Sequence, residues 1–166
     1  MNSKDVKSLA RNISQVENNS PKAEILLDAA WKAGKHAYRF GITGPPGAGK
    51  STLVNCLAAE FSNAGKHTAV ISVDPSSPFT GGAILGDRIR MNALSSRDNV
   101  YIRSMATRGS LGGLSMKTHD VCDILDGNDF DIILIETVGV GQIELDIAQA
   151  ADVTLTVLVP ESGDDI

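Results

Sequence analysis

Hydrophobic positions along the chain fall into two alternating patterns: continuous apolar runs and runs with helical spacing. The apolar runs are short, rich in β-branched residues and bounded by turn formers, which indicates strands buried on both faces of a sheet. Strands that alternate with helices predict an α/β fold with a mostly parallel sheet. The predicted strands cover residues 38–43, 69–73, 100–103, 131–136 and 153–159. After the first strand, helices are predicted over residues 53–61, 86–94 and 114–125, and a further helix begins at residue 143.

Two further helices are predicted before the first strand. Apolar residues at helical spacing form one stripe over residues 6–16. The second helix follows Ser20, which has the character of an N-cap. Trp31 lies in an apolar part of that helix, so we expect it to be a packing residue. The chain is therefore predicted to have an N-terminal helical extension, residues 1–35, and an α/β core, residues 36–166.

Composition indicates a soluble, globular domain. The 166 residues are 42% hydrophobic and 21% charged, which suits one domain with its own core. The net charge of −5 argues against a nucleic-acid-binding surface. We find no signal segment and no stretch that could span a bilayer, so we expect no membrane association and a cytoplasmic location, or the mitochondrial matrix in a eukaryote. Cys56 and Cys122 lack metal-ligand spacing and are expected to be small buried side chains.

The clearest motif lies between the first strand and the next helix. Residues 44–51 read GPPGAGKS and fit G-x-x-x-x-G-K-[ST], the phosphate-binding P-loop. Such a loop presents main-chain N–H groups and a helix N-terminus to a polyphosphate. We expect Lys50 to reach the β- and γ-phosphates and the Ser51 hydroxyl to ligate Mg²⁺. The residues predicted to contact nucleotide are Gly44, Gly47, Ala48, Gly49, Lys50, Ser51, Thr52 and Gly139.

Acidic residues are predicted at the carboxyl ends of two strands, where ligands of open α/β sheets bind. Glu136 ends the apolar strand over residues 131–136, which has the character of a Walker B strand that delivers a carboxylate to the metal or its water shell. Gly139 follows it, and its N–H is placed to meet the γ-phosphate. Asp74 ends the second strand. For Asp87, the residues leave two roles equally open: a metal ligand, or a carboxylate that complements a helix dipole.

Five motifs, taken in order, resemble those of one family. They are GPPGAGKS at 44–51, VDPSSPFTGG at 73–82, LGDRIRM at 85–91, RGSLGG at 108–113 and ETVGVGQ at 136–142. Together they resemble the methylmalonyl-CoA mutase-associated GTPases of the MeaB/ArgK type, whose human member is linked to methylmalonic aciduria type A. The resemblance extends from the N-terminal helices to the last residue.

The resemblance implies a three-layer P-loop fold of the class that includes signal-recognition and nickel-insertion GTPases. It implies GTP hydrolysis, with GTP or GDP and Mg²⁺ as cofactors, coupled to protecting, loading or repairing an adenosylcobalamin-dependent acyl-CoA mutase. Residues 74–87 resemble a first switch and residues 136–142 a second. The implied catalytic residues are Lys50, Asp74 and Glu136, and the implied metal-side residues are Ser51, Asp74, Asp87 and Glu136.

The resemblance also implies features beyond residue 166. The family's guanine-reading Asn-Lys-x-Asp motif and its dimerising C-terminal arm would lie there, so we expect a core truncated before base recognition and a homodimer in the longer protein. Two alternative functions remain open. One is a P-loop kinase of a small molecule or of a transport-system protein, a function once attributed to family members. The other is a nickel-insertion GTPase, although no His- or Cys-rich tract supports it.

Overall fold

Helices and strands alternate along the chain as the hydrophobic pattern predicts. The computed structural model describes residues 3–33, 35–74, 92–106, 111–137 and 143–160. The strands are β1 (Tyr38–Thr43), β2 (Thr68–Asp74), β3 (Val100–Ala106), β4 (Ile132–Thr137) and β5 (Val153–Thr156). The helices are α1 (Ser3–Glu17), α2 (Ala23–Ala33), α3 (Lys50–Asn63), α4 (Asn92–Ser95), α5 (Leu111–Asp126) and α6 (Ile143–Ala150).

The five strands form one parallel sheet in the order β3-β2-β4-β1-β5. The predicted α/β fold with a parallel sheet is therefore confirmed. β4 lies in the middle, between β2 and β1, although it comes fourth in the chain. All six of its residues are buried, as expected for a continuous apolar run covered on both faces.

Helices cover both faces of the sheet and divide the core into two parts. On one face α3 and α4 pack through Val54, Ala58 and Leu94 against alternate strand residues that include Val70 and Leu134. On the other face α1, α2, α5 and α6 pack against the remaining strand residues. Because successive strand side chains point to opposite faces, each strand contributes to both parts of the core. Among the described residues, no helix combines the length and apolar character needed to cross a membrane.

The two N-terminal helices are part of the packed structure. α1 buries Leu9, Ile13 and Val16 on the same face of the sheet as α5. Arg103 of β3 forms an ion pair with Glu17 at the end of α1. This helix is therefore attached to the sheet both by apolar burial and by a charged contact.

The sequence-based expectations for two side chains are wrong. Trp31 is 76% exposed, and its indole N–H donates to Asp123 Oδ2 at 3.2 Å. The buried stripe of α2 passes through Ala23 and Ala30, and Trp31 lies about 100° away from Ala30 around the helix. Cys56 is exposed, whereas Cys122 is buried, and burial raises the pKa of the Cys122 thiol to about 12. Cys122 is thus a protonated core residue near neutral pH.

A charged network fixes α5 to β1 at the amino edge of the sheet. The Arg39 guanidinium Nη2 lies 2.6 Å from Asp123 Oδ1 and 2.6 Å from Asp126 Oδ2. Asp126 also accepts the main-chain N–H of Ala37 at 3.0 Å, and Asp152 accepts that of Arg39 at 2.8 Å. The buried charge of Arg39 is thereby balanced by two carboxylates. This edge is opposite the one at which the P-loop begins.

Candidate functional site

The P-loop connects the carboxyl end of β1 to the start of α3. Gly44, Gly47 and Gly49 all have positive φ angles, of 134°, 79° and 93°, which L side chains rarely adopt. Gly49 is the N-cap of α3, and no side chain caps the helix. The first intrahelical hydrogen bond runs from the Leu53 N–H to the Gly49 carbonyl at 2.9 Å. The N–H groups of residues 50–52 therefore have no partner inside the helix and can donate to an anion.

The start of the loop is held against the end of β5. The Val157 N–H donates to the Thr43 carbonyl at 2.8 Å. A Cβ atom placed on Gly44 would lie 2.1 Å from the main-chain oxygen of Val157. Glycine is therefore required at this position for steric reasons as well as for its backbone angles.

We predict that Gly44→Ala destabilises the protein by about 2 kcal/mol more than Gly47→Ala does. Both substitutions place an alanine at a positive φ, but nothing lies within 4 Å of a Cβ on Gly47. The difference in urea unfolding free energy between the two variants therefore reports the contact with Val157 together with the greater backbone strain of alanine at φ 134° than at φ 79°. Equal free energies of unfolding would show that the β5 end moves away without cost.

Lys50 places its ammonium group inside the loop. The residue is only 7% exposed. Its Nζ donates to the carbonyl oxygens of Gly44 at 2.7 Å and Pro45 at 3.0 Å. A buried cation whose partners are neutral carbonyls keeps its full charge available to an anionic ligand.

Ser51 and Glu136 meet at the start of α3. The Ser51 hydroxyl donates to Glu136 Oε1 at 2.5 Å, across 85 residues of sequence. Glu136 is 2% exposed and is held there because β4 lies beside β1. Two adjacent oxygen ligands, one of them a carboxylate, next to a phosphate-binding loop fit the preference of Mg²⁺ for hard oxygen donors. That these residues bind the metal stays a prediction.

The other predicted site residues are only partly described. Thr52 is exposed on the first turn of α3 and contributes its main-chain N–H, and Ala48 lies within the loop. Asp74 is the last residue of β2, but its side chain lies outside the described part. Asp87 and Gly139 also lie outside the described residues, as do most of the two predicted switches. Within the described ranges, no group of three His, Cys, Asp or Glu side chains could hold a metal ion.

A set of buried hydroxyl groups at the same edge of the sheet was not predicted from the sequence. Within the part of the chain that the structure describes, the side-chain hydroxyls of Thr43, Ser72 and Thr137 are buried and have no hydrogen-bond partner. They lie at or near the carboxyl ends of β1, β2 and β4. The signal that could have revealed them is a small polar residue near the end of an otherwise apolar strand.

Comparison with known proteins supports the resemblance. The family model described as "Methylmalonyl Co-A mutase-associated GTPase MeaB" matches residues 9–166. A Pyrococcus horikoshii protein, whose name assigns it GTPase activity provisionally, is 52% identical over 162 residues, which are 98% of this chain and 51% of that protein. The "GTPase ArgK" of Escherichia coli is 38% identical over 163 residues, with 96% of this chain and 49% of that protein covered.

A mammalian relative and a solved structure extend the comparison. The "Methylmalonic aciduria type A homolog, mitochondrial" of Mus musculus is 45% identical over 129 residues, which are 78% of this chain and 31% of that protein. A crystal structure of an LAO/AO transport system kinase has a TM-score of 0.65 and 24% identity, over 99% of this chain and 53% of that one. At this identity the likeness shows the fold alone.

These comparisons confirm the family. The chain spans about half the length of the first two of these relatives. The family match nevertheless covers nearly all of it, including the P-loop and the strand that carries Glu136. The chain belongs to the methylmalonyl-CoA mutase-associated GTPases, the MeaB family.

Proposed function

We propose that this protein is a GTP-binding and GTP-hydrolysing switch that acts as a chaperone for an adenosylcobalamin-dependent acyl-CoA mutase of the methylmalonyl-CoA type. The observation that supports the proposal most is the contact between Ser51 and Glu136 beside the P-loop. The family description names both the GTPase activity and the mutase. By the same resemblance, we propose a homodimer for the longer protein, located in the cytoplasm or, in a eukaryote, in the mitochondrial matrix.

The proposed chemistry is positioning and charge neutralisation of a bound triphosphate. The free N–H groups at the start of α3 bind phosphate oxygens, and Lys50 turns from the loop carbonyls toward the β- and γ-phosphates. Ser51 and Glu136 hold the metal side of the site, together with Asp74 and Asp87. Mg²⁺ held by these residues would supply positive charge that offsets the negative charge of the phosphates. The proposed catalytic residues are Lys50, Asp74 and Glu136, with Asp74 as the candidate for orienting water.

The switch is tested by measuring the affinity of the full-length protein for its mutase. We expect affinities with a non-hydrolysable GTP analogue and with GDP to differ by at least about fivefold, because allosteric coupling free energies are typically 1–3 kcal/mol. The Ser51→Ala variant serves as the control and should lose most of this difference. Equal affinity of the unaltered protein with the GTP analogue, with GDP and without nucleotide would contradict the switch.

An assay of phosphate release with the full-length protein distinguishes GTP hydrolysis from phosphoryl transfer to an acceptor. Free phosphate should appear from GTP whether or not an acceptor is offered. Phosphate appearing on an added small molecule or transport-system protein would instead support the kinase alternative. A parallel assay with ATP determines base preference.

A further inference from the structure

The surface of the sheet that α3 covers is apolar except along one row of residues. In the apolar row before it, the residues that face α3 are neighbours in the strand register: Ile102, Val70, Leu134 and Phe40. Two residues further along each strand, the corresponding positions are Ser104, Ser72, Glu136 and Ile42. We call Ser104, Ser72 and Glu136 the polar row. It crosses three adjacent strands at the level where Glu136 meets Ser51.

The strand alternation puts Ser72 and Glu136 on the same face of the sheet. Ile71 and Val73 belong to the core on the opposite face, so Ser72, which lies between them, points toward α3. Glu136 points the same way, because it contacts Ser51 at the start of that helix. The two are direct register partners in β2 and β4, and neighbouring strands lie about 4.8 Å apart. The two side chains therefore leave neighbouring strands at the same level and on the same face of the sheet.

Ser72 is buried in a way that needs an explanation. The residue is 2% exposed, and its hydroxyl has no hydrogen-bond partner. A buried hydroxyl without a partner costs about 1–3 kcal/mol. An alanine at this position would avoid that cost in a strand that is otherwise apolar here. A carboxylate offers about four acceptor sites, and the Ser51 hydroxyl takes one of those on Glu136.

We propose that Ser72 is a positioning residue for Glu136. Its hydroxyl donates to the carboxylate through one buried water, from the β2 side, while Ser51 donates directly from the α3 side. Two donors on different sides fix the direction of the carboxylate before it meets the metal. Partners of this kind orient metal ligands, and their loss typically reduces metal affinity 10- to 100-fold. This inference rests on the proposed function, because it assumes that Mg²⁺ binds between Ser51 and Glu136.

The test is a Mg²⁺ titration of GDP binding, followed with a fluorescent GDP analogue in the full-length protein. Ser72→Ala should raise the Mg²⁺ concentration for half-maximal binding by about tenfold. Binding of the same analogue with the metal chelated should change by less than about twofold. The melting temperature should not fall, because the Ser72 hydroxyl makes no direct hydrogen bond to the protein whose loss would cost stability. A purely structural role would change metal-free binding and stability as well.

Three further variants distinguish the effect of the Ser72 hydroxyl from the effects of side-chain size and of position in the polar row. Ser72→Thr keeps the hydroxyl and should stay near the wild-type Mg²⁺ requirement. Ser72→Cys keeps the shape but offers only a weak donor, so it should behave like Ser72→Ala. Ser104→Ala removes the polar-row hydroxyl that is separated from Glu136 by β2 and should have little effect.

The outcomes distinguish this inference from the proposed function. If wild type requires Mg²⁺ and both Ser72→Ala and Ser72→Cys show the same requirement, the positioning role of Ser72 is wrong. If wild-type binding does not depend on Mg²⁺ at all, the proposed metal site is wrong, whatever the variants do.

Discussion

Replacing Lys50 by Ala is expected to weaken GTP binding by about 100-fold, equivalent to about 3 kcal/mol. Lys50 is buried within the P-loop, and its ammonium lies 2.7 Å from the Gly44 carbonyl. Removing it takes away a desolvated positive charge from the place where the phosphates are predicted to bind. The free energy of unfolding should change by roughly 1 kcal/mol, because the carbonyl groups lose only hydrogen bonds. Calorimetric titration with GTP and urea unfolding measure the two effects.

Lys35→Ala is the matched control for this experiment. Lys35 forms an exposed ion pair with Asp129, and the two side chains are 60% and 65% exposed. The control removes a lysine charge of the same kind at the amino edge of the sheet, away from the P-loop. It should leave GTP binding unchanged. An unaltered GTP affinity in Lys50→Ala would mean that triphosphate binds elsewhere on the protein.

Arg39→Ala is expected to reduce the free energy of unfolding by about 3–5 kcal/mol. The Arg39 side chain is 11% exposed and that of Asp126 is 5% exposed, so the substitution leaves a buried carboxylate without its cation. Burial alone lowers the pKa of Arg39, but the surrounding anionic groups and its hydrogen bonds raise that pKa above its ordinary value. The guanidinium is therefore charged at every pH at which the protein is folded.

Urea unfolding measures the effect of Arg39→Ala, again with Lys35→Ala as the reference. The exposed Lys35 pair should contribute little to stability, because water and salt screen its charges. Nucleotide affinity should be the same in Arg39→Ala as in wild type under conditions where the variant is folded, because the network lies at the amino edge of the sheet. A loss of stability no larger than that of the control would show that water replaces the guanidinium.

The sequence predicts the sheet and the P-loop because both leave local signals. Continuous apolar runs mark the buried strands, and the glycine pattern before Lys50 marks the loop. The contact between Ser51 and Glu136 agrees with the Walker B interpretation of β4. The metal-binding roles of Ser51, Asp74, Asp87 and Glu136 all stay predictions. So do the phosphate contacts of Lys50 and Gly139.

Features that depend on partners distant in sequence could not be predicted. Arg39 lies in a predicted buried strand, but its partners Asp123 and Asp126 are 84 and 87 residues away. The exposure of Trp31 could not be predicted, because an apolar helical run does not show where the buried stripe ends. The role proposed for Ser72 required the register of β2 against β4, since one small polar residue in an apolar strand has no local meaning.

The central position of β4 has a consequence for folding during synthesis. β1, the P-loop and β2 leave the ribosome first, but β4 must then enter between β1 and β2 before Ser51 meets Glu136. Such non-local pairing slows folding, because a long loop must close before the contact forms. A nascent chain that ends before residue 136 would carry the phosphate-binding loop without its acidic partner. The proposed nucleotide and metal ligands would therefore stabilise the native state fully only after the second half of this chain has been made.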